Sequence, residues 1–212
     1  MNFLNVTNVL VLAPHTDDGE FGCGATIAKL IEQGIKVTYV AFSIAEESVP
    51  KKFPKDILAT EVSRATKVLG IKPEDLIVHR FPVRHFPKFR QDILEEMVKL
   101  NSRLTPDIVF MPSPNDTHQD HQTISSEGFR AFKKRSILGY EVPWNNLTFN
   151  TTAFSKITRH HLEIKMEALK CYISQLGRDY VTREFIESLA NVRGAQIGEQ
   201  YAETFEILRF RF

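Results

Sequence analysis

Short runs of apolar and β-branched residues alternate with helix-like segments along most of the chain. The runs predict five strands, at Asn8–Ala13, Lys36–Phe42, Leu76–His79, Asp107–Met111 and Ser136–Tyr140. Segments with apolar residues at helical spacing predict four helices between them, at Gly24–Gln33, Ile57–Leu69, Gln91–Leu104 and His121–Lys133. This β-α-β-α rhythm predicts an α/β fold with a Rossmann-like, mostly parallel sheet and helices on both faces.

The pattern becomes irregular in the C-terminal third. Residues 141–157 give no clear signal, whereas Leu162–Ser174 and Arg183–Val192 predict helices and Glu203–Phe210 predicts a strand. Internal repeats, low-complexity segments and Gly/Ser linkers are absent from the sequence. We therefore expect residues 1–212 to form a single domain, in which the C-terminal third completes a pocket.

A first cluster of polar residues, Pro-His-Thr-Asp-Asp-Gly-Glu, directly follows the first predicted strand. His15 and Asp18 are three residues apart and could bind one metal ion from a tight turn, and both residue types suit catalytic zinc. Asp17 would then be free to accept a proton from the metal's water. The alternative is an ordinary Asp-rich loop, because Asp favours turns and helix N-caps.

A second cluster, Asp-Thr-His-Gln-Asp-His, begins at Asp116 after the fourth predicted strand. One imidazole of His118 and His121 could complete the metal's ligands, and the other could donate to an oxyanion or protonate a leaving amine. A carboxylate such as Asp120 typically orients a neighbouring histidine ring. A polar surface loop is the alternative for this segment alone. Since ligands bind beyond the carboxyl ends of parallel strands, we expect both clusters to share one metal site there.

Gly22-Cys23-Gly24 could indicate a dinucleotide-binding turn. The third glycine of that motif is replaced by Ile27, and the three carboxylates of the first cluster would repel a pyrophosphate. We instead interpret the glycines as positions where the backbone packs closely beneath the metal loop.

Charge and composition limit the classes of partner. The formal net charge is +1, so no global field attracts nucleic acid or an anionic membrane. The two cysteines lack metal or redox spacing and suit a reducing compartment. The N-terminus lacks a cationic signal region, and no apolar run approaches the roughly 20 residues of a membrane span. We expect a cytoplasmic protein, and the aromatic C-terminus leaves a homo-oligomer open.

Three motifs resemble those of a known family. His15-x-Asp17-Asp18 after a proline, Gly-Cys-Gly shortly afterwards, and His118-x-Asp120-His121 are similar to the PIG-L/LmbE family of zinc-dependent N-acetylglucosaminyl deacetylases. Later segments match the family in order: Lys165, Ser174-Gln175, Arg193-Gly194 and Tyr201-Ala202-Glu203. The chain departs from the family pattern at three points, with Thr16 for a proline, Glu20 one place later than usual, and Tyr172 for a histidine.

The resemblance implies roles for residues of both clusters. His15, Asp18 and His121 would bind one Zn²⁺ per chain, although Fe²⁺ accepts the same ligands. Asp17 would be the general base, His118 would stabilise the oxyanion and shuttle a proton, and Asp120 would orient a histidine. The implied reaction removes the N-acetyl group from an amino sugar or its conjugate and releases acetate.

The substrate's remaining groups are less constrained. Arg84 and His85, with Arg80 and Arg90 nearby, form a cationic segment after the third predicted strand, which suggests a phosphate- or nucleotide-bearing substrate. A solvated basic loop is the alternative. Glu47 could hydrogen-bond sugar hydroxyls, and Tyr201 could stack on a ring.

Two other functions remain open from the sequence. A metal-dependent phosphoester hydrolase would use two metal ions, and a sugar- or nucleotide-binding module would bind without turnover. Metal stoichiometry distinguishes the first alternative, and acetate release distinguishes the second.

Overall fold

A computed structural model of the chain describes residues 6–178, 180 and 182–211. One sheet contains seven strands, namely β1 (Asn8–His15), β2 (Lys36–Ser43), β3 (Leu76–Val78), β4 (Ile108–Pro112), β5 (Ser136–Tyr140), β6 (Ala153–Ile157) and β7 (Tyr201–Arg209). The helices are α1 (Asp18–Glu32), α2 (Ile57–Val68), α3 (Arg90–Leu104), α4 (Gln119–Ala131), α5 (Arg159–Lys170) and α6 (Arg183–Ala195). None of the helices in these ranges has both the length and the apolar character to cross a membrane.

The sheet is mostly parallel, in the order β3-β2-β1-β4-β5-β7-β6. β1 to β5 pair in parallel, whereas β7 is antiparallel to both β5 and β6. Side chains of β1 alternate between two buried layers, because successive residues of a strand point to opposite faces. Val9 and Val11 pack with α1, α2 and α5, whereas Leu10 and Leu12 pack with α3 and α4. The predicted α/β fold, with helices on both faces, is confirmed.

The strand order reverses between β1 and β4, which are neighbours in the sheet although two other strands separate them in sequence. Such a reversal leaves a crevice at the carboxyl ends of the two strands. β1 ends at His15 and β4 ends at Pro112, so the two polar clusters follow adjacent strand ends. The fold therefore brings both clusters to one crevice.

Two elements differ from the sequence prediction. Helix α1 begins at Asp18 rather than Gly24, and its backbone leaves helical geometry at Cys23, where φ is −149°. The segment up to Gly22 is polar and glycine-rich, so it lacks the apolar spacing that predicts a helix. Strand β6 was not predicted, because its residues are half-exposed at the edge of the sheet and give no alternation.

Candidate metal centre

Three side-chain atoms from the two clusters converge at the crevice. The Nδ1 atom of His15 lies 3.1 Å from Oδ2 of Asp18, and Nε2 of His121 lies 3.2 Å from the same oxygen. The two nitrogen atoms are 3.3 Å apart. His15 is the last residue of β1, Asp18 begins α1, and His121 lies in the first turn of α4.

These separations fit a tetrahedral metal ion. Ligand atoms at about 2.0–2.1 Å from a tetrahedral zinc lie about 3.3 Å from one another. The three distances between the ligand atoms of His15, Asp18 and His121 therefore match three of the six edges of such a tetrahedron. Three protein ligands leave the fourth position for water, which is the arrangement of a catalytic rather than a structural zinc site.

A carboxylate holds the distal nitrogen of each imidazole in this triad. Nε2 of His15 lies 3.0 Å from Oδ2 of Asp120, and Nδ1 of His121 lies 2.7 Å from Oδ2 of Asp116. Each carboxylate accepts the ring N–H and so directs the other nitrogen to the metal position, where it can bind an ion once it has lost its own proton. The sequence prediction gave Asp120 an orienting role but gave Asp116 none. The signal was its place five residues before His121, at the start of the same polar cluster.

His118 also lies close to the triad, and the nearest ring nitrogens of the three histidines fall within 4.8 Å of one another. The hydrogen bond that His118 accepts from the backbone determines which of its ring nitrogens carries a proton. Nδ1 of His118 accepts the backbone N–H of Asp120 at 3.1 Å and caps α4. Burial and the neighbouring His121 lower the pKa of His118, so the ring is neutral and carries its one proton on Nε2. This arrangement suits a hydrogen-bond donor rather than a third imidazole ligand.

The carboxylates around His15 and His121 favour positive charge at this point in the structure. Burial alone would lower the pKa of His15, but Asp18 and Asp120 outweigh it and raise the pKa to about 9. For His121 burial is likewise outweighed, by Asp18 and Asp116, and its pKa rises to about 10. Burial opposes ionisation of Asp18, yet His121 and His15 hold its pKa well below the usual range. Without a metal, two protons supply the charge that a divalent cation would bring.

The triad opens into a cavity of about 310 Å³. Asp17 lines this cavity beside Asp18, and burial together with the Asp18 carboxylate raises its pKa to about 6. A carboxyl group with a pKa near neutrality can both accept and return a proton. The apolar part of the wall includes Leu58, Val83 and three aromatic residues that contact one another, namely Phe21, Trp144 and Tyr180.

A buried polar network supports the loop that carries His15 and Asp18. The hydroxyls of Tyr39 and Tyr172 lie 2.9 and 2.7 Å from the carbonyl oxygen of Thr16, and both contact the carboxyl group of Glu20. Burial outweighs these hydrogen bonds and raises the pKa of Glu20 to about 8. Two departures from the family pattern, Glu20 and Tyr172, are therefore in direct contact with each other.

The glycines beneath the loop are needed for close packing. A Cβ atom on Gly22 would lie 2.3 Å from the ring of Tyr140, and one on Gly19 would lie 2.5 Å from the ring of Tyr39. A side chain at either position would displace a buried tyrosine ring. For Gly22 this confirms the interpretation as a packing position.

The predicted cationic surface is neutralised in the structure. Arg80 pairs with Glu46 at 3.0 Å, and Arg84 lies 3.6 Å from Glu47. Arg90 pairs with Glu127. Because each guanidinium group already faces a carboxylate, the segment offers little positive charge to a phosphate or nucleotide. The structure therefore corrects the expectation that these arginines form an open anion site.

The side chains of the four predicted substrate-binding residues all lie outside the cavity lining among the residues that the structure describes. Arg84 and Glu47 are exposed and pair with each other, and His85 is half-buried at the start of a short 3₁₀ turn. Tyr201 is 2% exposed and its hydroxyl contacts Arg159 and Glu187, so its ring packs among α5 and α6. The cavity instead presents Gln175 and Arg178, to which the sequence prediction gave no role.

The sequence model of the PIG-L family, described as GlcNAc-PI de-N-acetylase, matches residues 10–132. The chain is 27% identical over 169 residues to the uncharacterized deacetylase YaiS of Escherichia coli, covering 76% of this chain and 88% of that protein. It is 26% identical over 227 aligned positions to the diacetylchitobiose deacetylase of Thermococcus kodakarensis, covering 95% of this chain and 83% of that protein.

Among solved structures, the fold matches the N,N'-diacetylchitobiose deacetylase of Pyrococcus horikoshii in complex with an inhibitor. The TM-score is 0.79 at 23% identity, covering 96% of this chain and 84% of that chain. At this identity the match shows a shared fold and leaves the chemistry to be argued from the site.

Proposed function

Because this chain belongs to the PIG-L family, whose sequence model matches more than half of it, we propose that it is a metal-dependent N-deacetylase. Its substrate is an N-acetylated amino sugar or a conjugate of one, and its products are acetate and the free amine. We also propose that residues 1–212 act as one deacetylase domain, since β6 and β7 extend the same sheet that carries the metal centre.

The convergence of His15, Asp18 and His121 at tetrahedral spacing carries this proposal. Imidazole and carboxylate are ligands that zinc accepts, and the carboxylates behind both rings fix the nitrogens that face the ion. We assign the metal as zinc, with one ion per chain. A zinc ion held by these residues would supply Lewis-acid chemistry for the activation of water and of the acetamide carbonyl.

The neighbouring residues supply the proton transfers. The carboxylate of Asp17 accepts the proton that the attacking water loses. His118 donates its Nε2–H to the oxyanion that develops on the acetamide oxygen. When the C–N bond breaks, the proton held by Asp17 passes to the departing nitrogen. The cavity thus contains a group for each charge that develops during amide hydrolysis.

The substrate class follows from the relatives and the cavity. The Thermococcus kodakarensis relative is named for a disaccharide of N-acetylglucosamine, and we propose a substrate of the same chemical class. Phe21, Trp144 and Tyr180 give the cavity an aromatic wall, which suits the apolar face of a sugar ring. The paired arginines outside the cavity give no reason to require a phosphate group.

The other functions receive less support from the site. Two-metal phosphoester hydrolysis needs a second ligand set about 3.5–4 Å from the first ion. The part of the chain that the structure describes offers one convergent histidine cluster. A binding module would have no use for Asp17 and His118 as spare acid–base groups beside the metal ligands.

Acetate release tests the proposal. Zinc-loaded and metal-stripped protein would be incubated with N-acetylglucosamine, its methyl glycoside, diacetylchitobiose and UDP-N-acetylglucosamine. We expect zinc-dependent acetate from at least one of these sugars and one zinc per chain by elemental analysis. Protein that carries one zinc per chain but releases no acetate from any of the four would contradict the proposal.

A further inference from the structure

Arg178 places a permanent positive charge in the wall of the catalytic cavity. Among the residues that the structure describes, it is the only lysine or arginine that lines this cavity. Arg178 is exposed, as is Trp144 in the same wall, whereas Asp18 and His121 of the triad are buried. Arg178 therefore lies at the open end of the cavity, and the metal position lies at the closed end.

Contacts within the wall hold the guanidinium group of Arg178 in place. Nη1 of Arg178 donates to the hydroxyl of Tyr180 at 2.6 Å, and the guanidinium carbon lies 5.8 Å from the centre of that ring. Tyr180 is held in turn, because its ring stacks on Trp144 with 3.9 Å between the ring centres. Burial and Asp18 raise the pKa of Asp17, and the charge of Arg178 opposes them. The guanidinium group therefore acts on the interior of the cavity as well as on its rim.

Most of the hydrogen-bond donors of Arg178 remain available to a ligand. A guanidinium group has five N–H donors, and Tyr180 accepts from one nitrogen. In the described part of the chain, no carboxylate lies within 4.0 Å of Arg178, in contrast to Arg80 and Arg84, which face Glu46 and Glu47. Guanidinium groups bind carboxylate and phosphate through two parallel hydrogen bonds. The wall is therefore suited to an anionic group on the molecule that enters.

We propose that Arg178 binds a carboxylate or phosphate group on the part of the substrate that is joined to the anomeric carbon of the acetamido sugar. This inference rests on the proposed function, since it takes a conjugate of an N-acetylated amino sugar as the substrate. The acetamide must face Asp17 and His118 at the closed end of the cavity. The group joined to the anomeric carbon then extends along the wall to the open end, where Arg178 lies.

Binding of deacetylated products tests this inference without requiring turnover. The carboxymethyl and carbamoylmethyl glycosides of glucosamine, in the same anomeric configuration, have the same size and differ by one negative charge. Each would be titrated into the zinc-loaded wild type, and glucosamine 1-phosphate would be compared with the methyl glycoside in the same way. We expect wild type to bind at least one anion about fivefold more tightly than its neutral counterpart, with a smaller preference at high salt. The pair with the larger preference distinguishes carboxylate from phosphate.

Arg178→Gln should lose this preference, because it keeps hydrogen-bond donors but removes the charge. Arg103→Gln is the matched control, because Arg103 is exposed on α3 outside the cavity and the substitution changes the net charge by the same amount. It should keep the wild-type ratios. The inference is overturned if wild type binds neither anion more tightly than its neutral counterpart, if Arg178→Gln keeps the preference, or if Arg103→Gln loses it equally. Failure of the proposed function would be seen separately, as a lack of acetate from the N-acetylated panel.

Discussion

Asp17 and Asp18 are adjacent in sequence, yet their environments shift their pKa values in opposite directions. Burial raises both, but His121 and His15 hold the pKa of Asp18 well below its usual range, whereas Asp18 itself adds to the increase at Asp17, to about 6. Two carboxyl groups separated in this way can take different roles in one site. Asp18 stays ionised beside the imidazoles, and Asp17 is the one poised to exchange a proton.

Replacing Asp17 with Asn tests this division. Asn keeps the shape of the side chain but cannot accept the proton of water, so kcat should fall by about 10²–10⁴-fold, the usual contribution of a general base. Zinc content should stay at one per chain, because the ligand triad is untouched. Asp18→Asn is the comparison and should lose zinc as well as activity. A zinc-loaded Asp17→Asn variant with near-normal kcat would show that another group is the base.

Arg84 acts through its backbone. Its φ of +68° lies in the left-handed region, which is unfavourable for a residue with a side chain. In this conformation its N–H donates to Oδ2 of Asp120 at 2.6 Å, the same oxygen that contacts His15. The side chain of Arg84 itself is exposed and pairs with Glu47. The residue therefore helps to fix the carboxylate that contacts His15 in the proposed metal centre.

Substitutions at Arg84 should separate the effect of its backbone conformation on stability from the effect of its side chain on substrate binding. Arg84→Gly should raise the free energy of unfolding relative to Arg84→Ala by about 1 kcal/mol, because glycine adopts positive φ without steric cost. Both variants should retain KM and kcat within about twofold for an uncharged acetamido sugar, since an exposed ion pair contributes about 0–1 kcal/mol. Urea unfolding and initial rates measure the two effects. A large increase in KM in both variants would restore the guanidinium group as a substrate contact.

At the residue scale, the sequence indicated which residues lie close together but not which hydrogen bonds and ion pairs each of them forms. The two polar clusters could be grouped because they follow the ends of two parallel strands. The choice of His121 rather than His118 as the third ligand came from the family resemblance. The pairing of Arg84 with Glu47 could not be predicted, because it depends on two loops that the sequence does not place. The same holds for Gln175, since its place in the cavity wall depends on a short 3₁₀ turn that the sequence does not position.

Helix α1 is divided at Cys23 by a buried ion pair. Nζ of Lys165 donates to the carbonyl oxygen of Phe21 at 2.6 Å and lies 2.7 Å from Oε1 of Glu203. Glu203 in turn accepts the backbone N–H groups of Ala25 and Thr26. Side chains from α5 and β7 thus replace hydrogen bonds of the helix at its break, which is a recognised cause of kinks. The first part of α1, which carries Asp18, is held by elements far away in sequence.

Lys165→Met should strongly destabilise the protein. Lys165 is 4% exposed and Glu203 is 6% exposed, so the substitution leaves a buried carboxylate without its cation. Removing one partner of such a pair costs about 3–5 kcal/mol. The double variant Lys165→Met/Glu203→Gln should recover part of this loss, because it removes the unpaired charge.

Urea unfolding measures these effects. Lys170→Met is the control, because Lys170 is exposed and pairs with Glu167 on the surface of the same helix. It should change the free energy of unfolding by less than about 0.5 kcal/mol. A similarly small effect of Lys165→Met would show that the kink does not depend on this pair.

The kink also explains which element boundaries the sequence could predict. Helices α2 and α3 begin within one residue of their predicted starts, because apolar spacing runs through them to the first turn. Helix α1 begins six residues before its predicted start, since its first part is stabilised by Tyr39, Tyr140 and Lys165 rather than by its own pattern. The apolar spacing of a segment therefore predicts the start of a helix only where the packing of those apolar residues is what stabilises that start.

On the scale of the molecule, the proposed metal centre lies where the two halves of the sheet meet. β1 and β4 belong to different β-α-β units and supply one polar cluster each at the point where the strand order reverses. The C-terminal third then adds the cavity wall, through Gln175, Arg178 and Tyr180. The strand-end position of the site follows from the parallel topology and was predictable. The composition of the wall was not, because these residues lie in a segment with little pattern of its own.

The stability of the metal-free protein should depend on pH because of the two histidines proposed as metal ligands. Their pKa values in the folded protein, about 9 for His15 and about 10 for His121, exceed the ordinary value of 6.5. The folded state therefore holds these protons more tightly than the unfolded state. This stabilisation is complete below pH 6.5 and is lost as the pH rises through 9 to 10. The pKa of Glu20 is raised to about 8, so this residue also lowers the stability of the folded protein as the pH rises, over a lower range of pH.

Thermal unfolding in the presence of a chelator should thus show Tm falling between pH 6.5 and 9.5. Zinc competes with the ligand protons, so its affinity rises over the same range and the difference in Tm between zinc-loaded and metal-free protein should widen from pH 6.5 to 8.5. Asp18→Asn removes the carboxylate that raises both histidine pKa values, and it should flatten the metal-free profile above pH 8. A wild-type Tm that stays constant or rises over this range would mean that the triad does not hold two protons, and the argument that a divalent cation replaces them would fail.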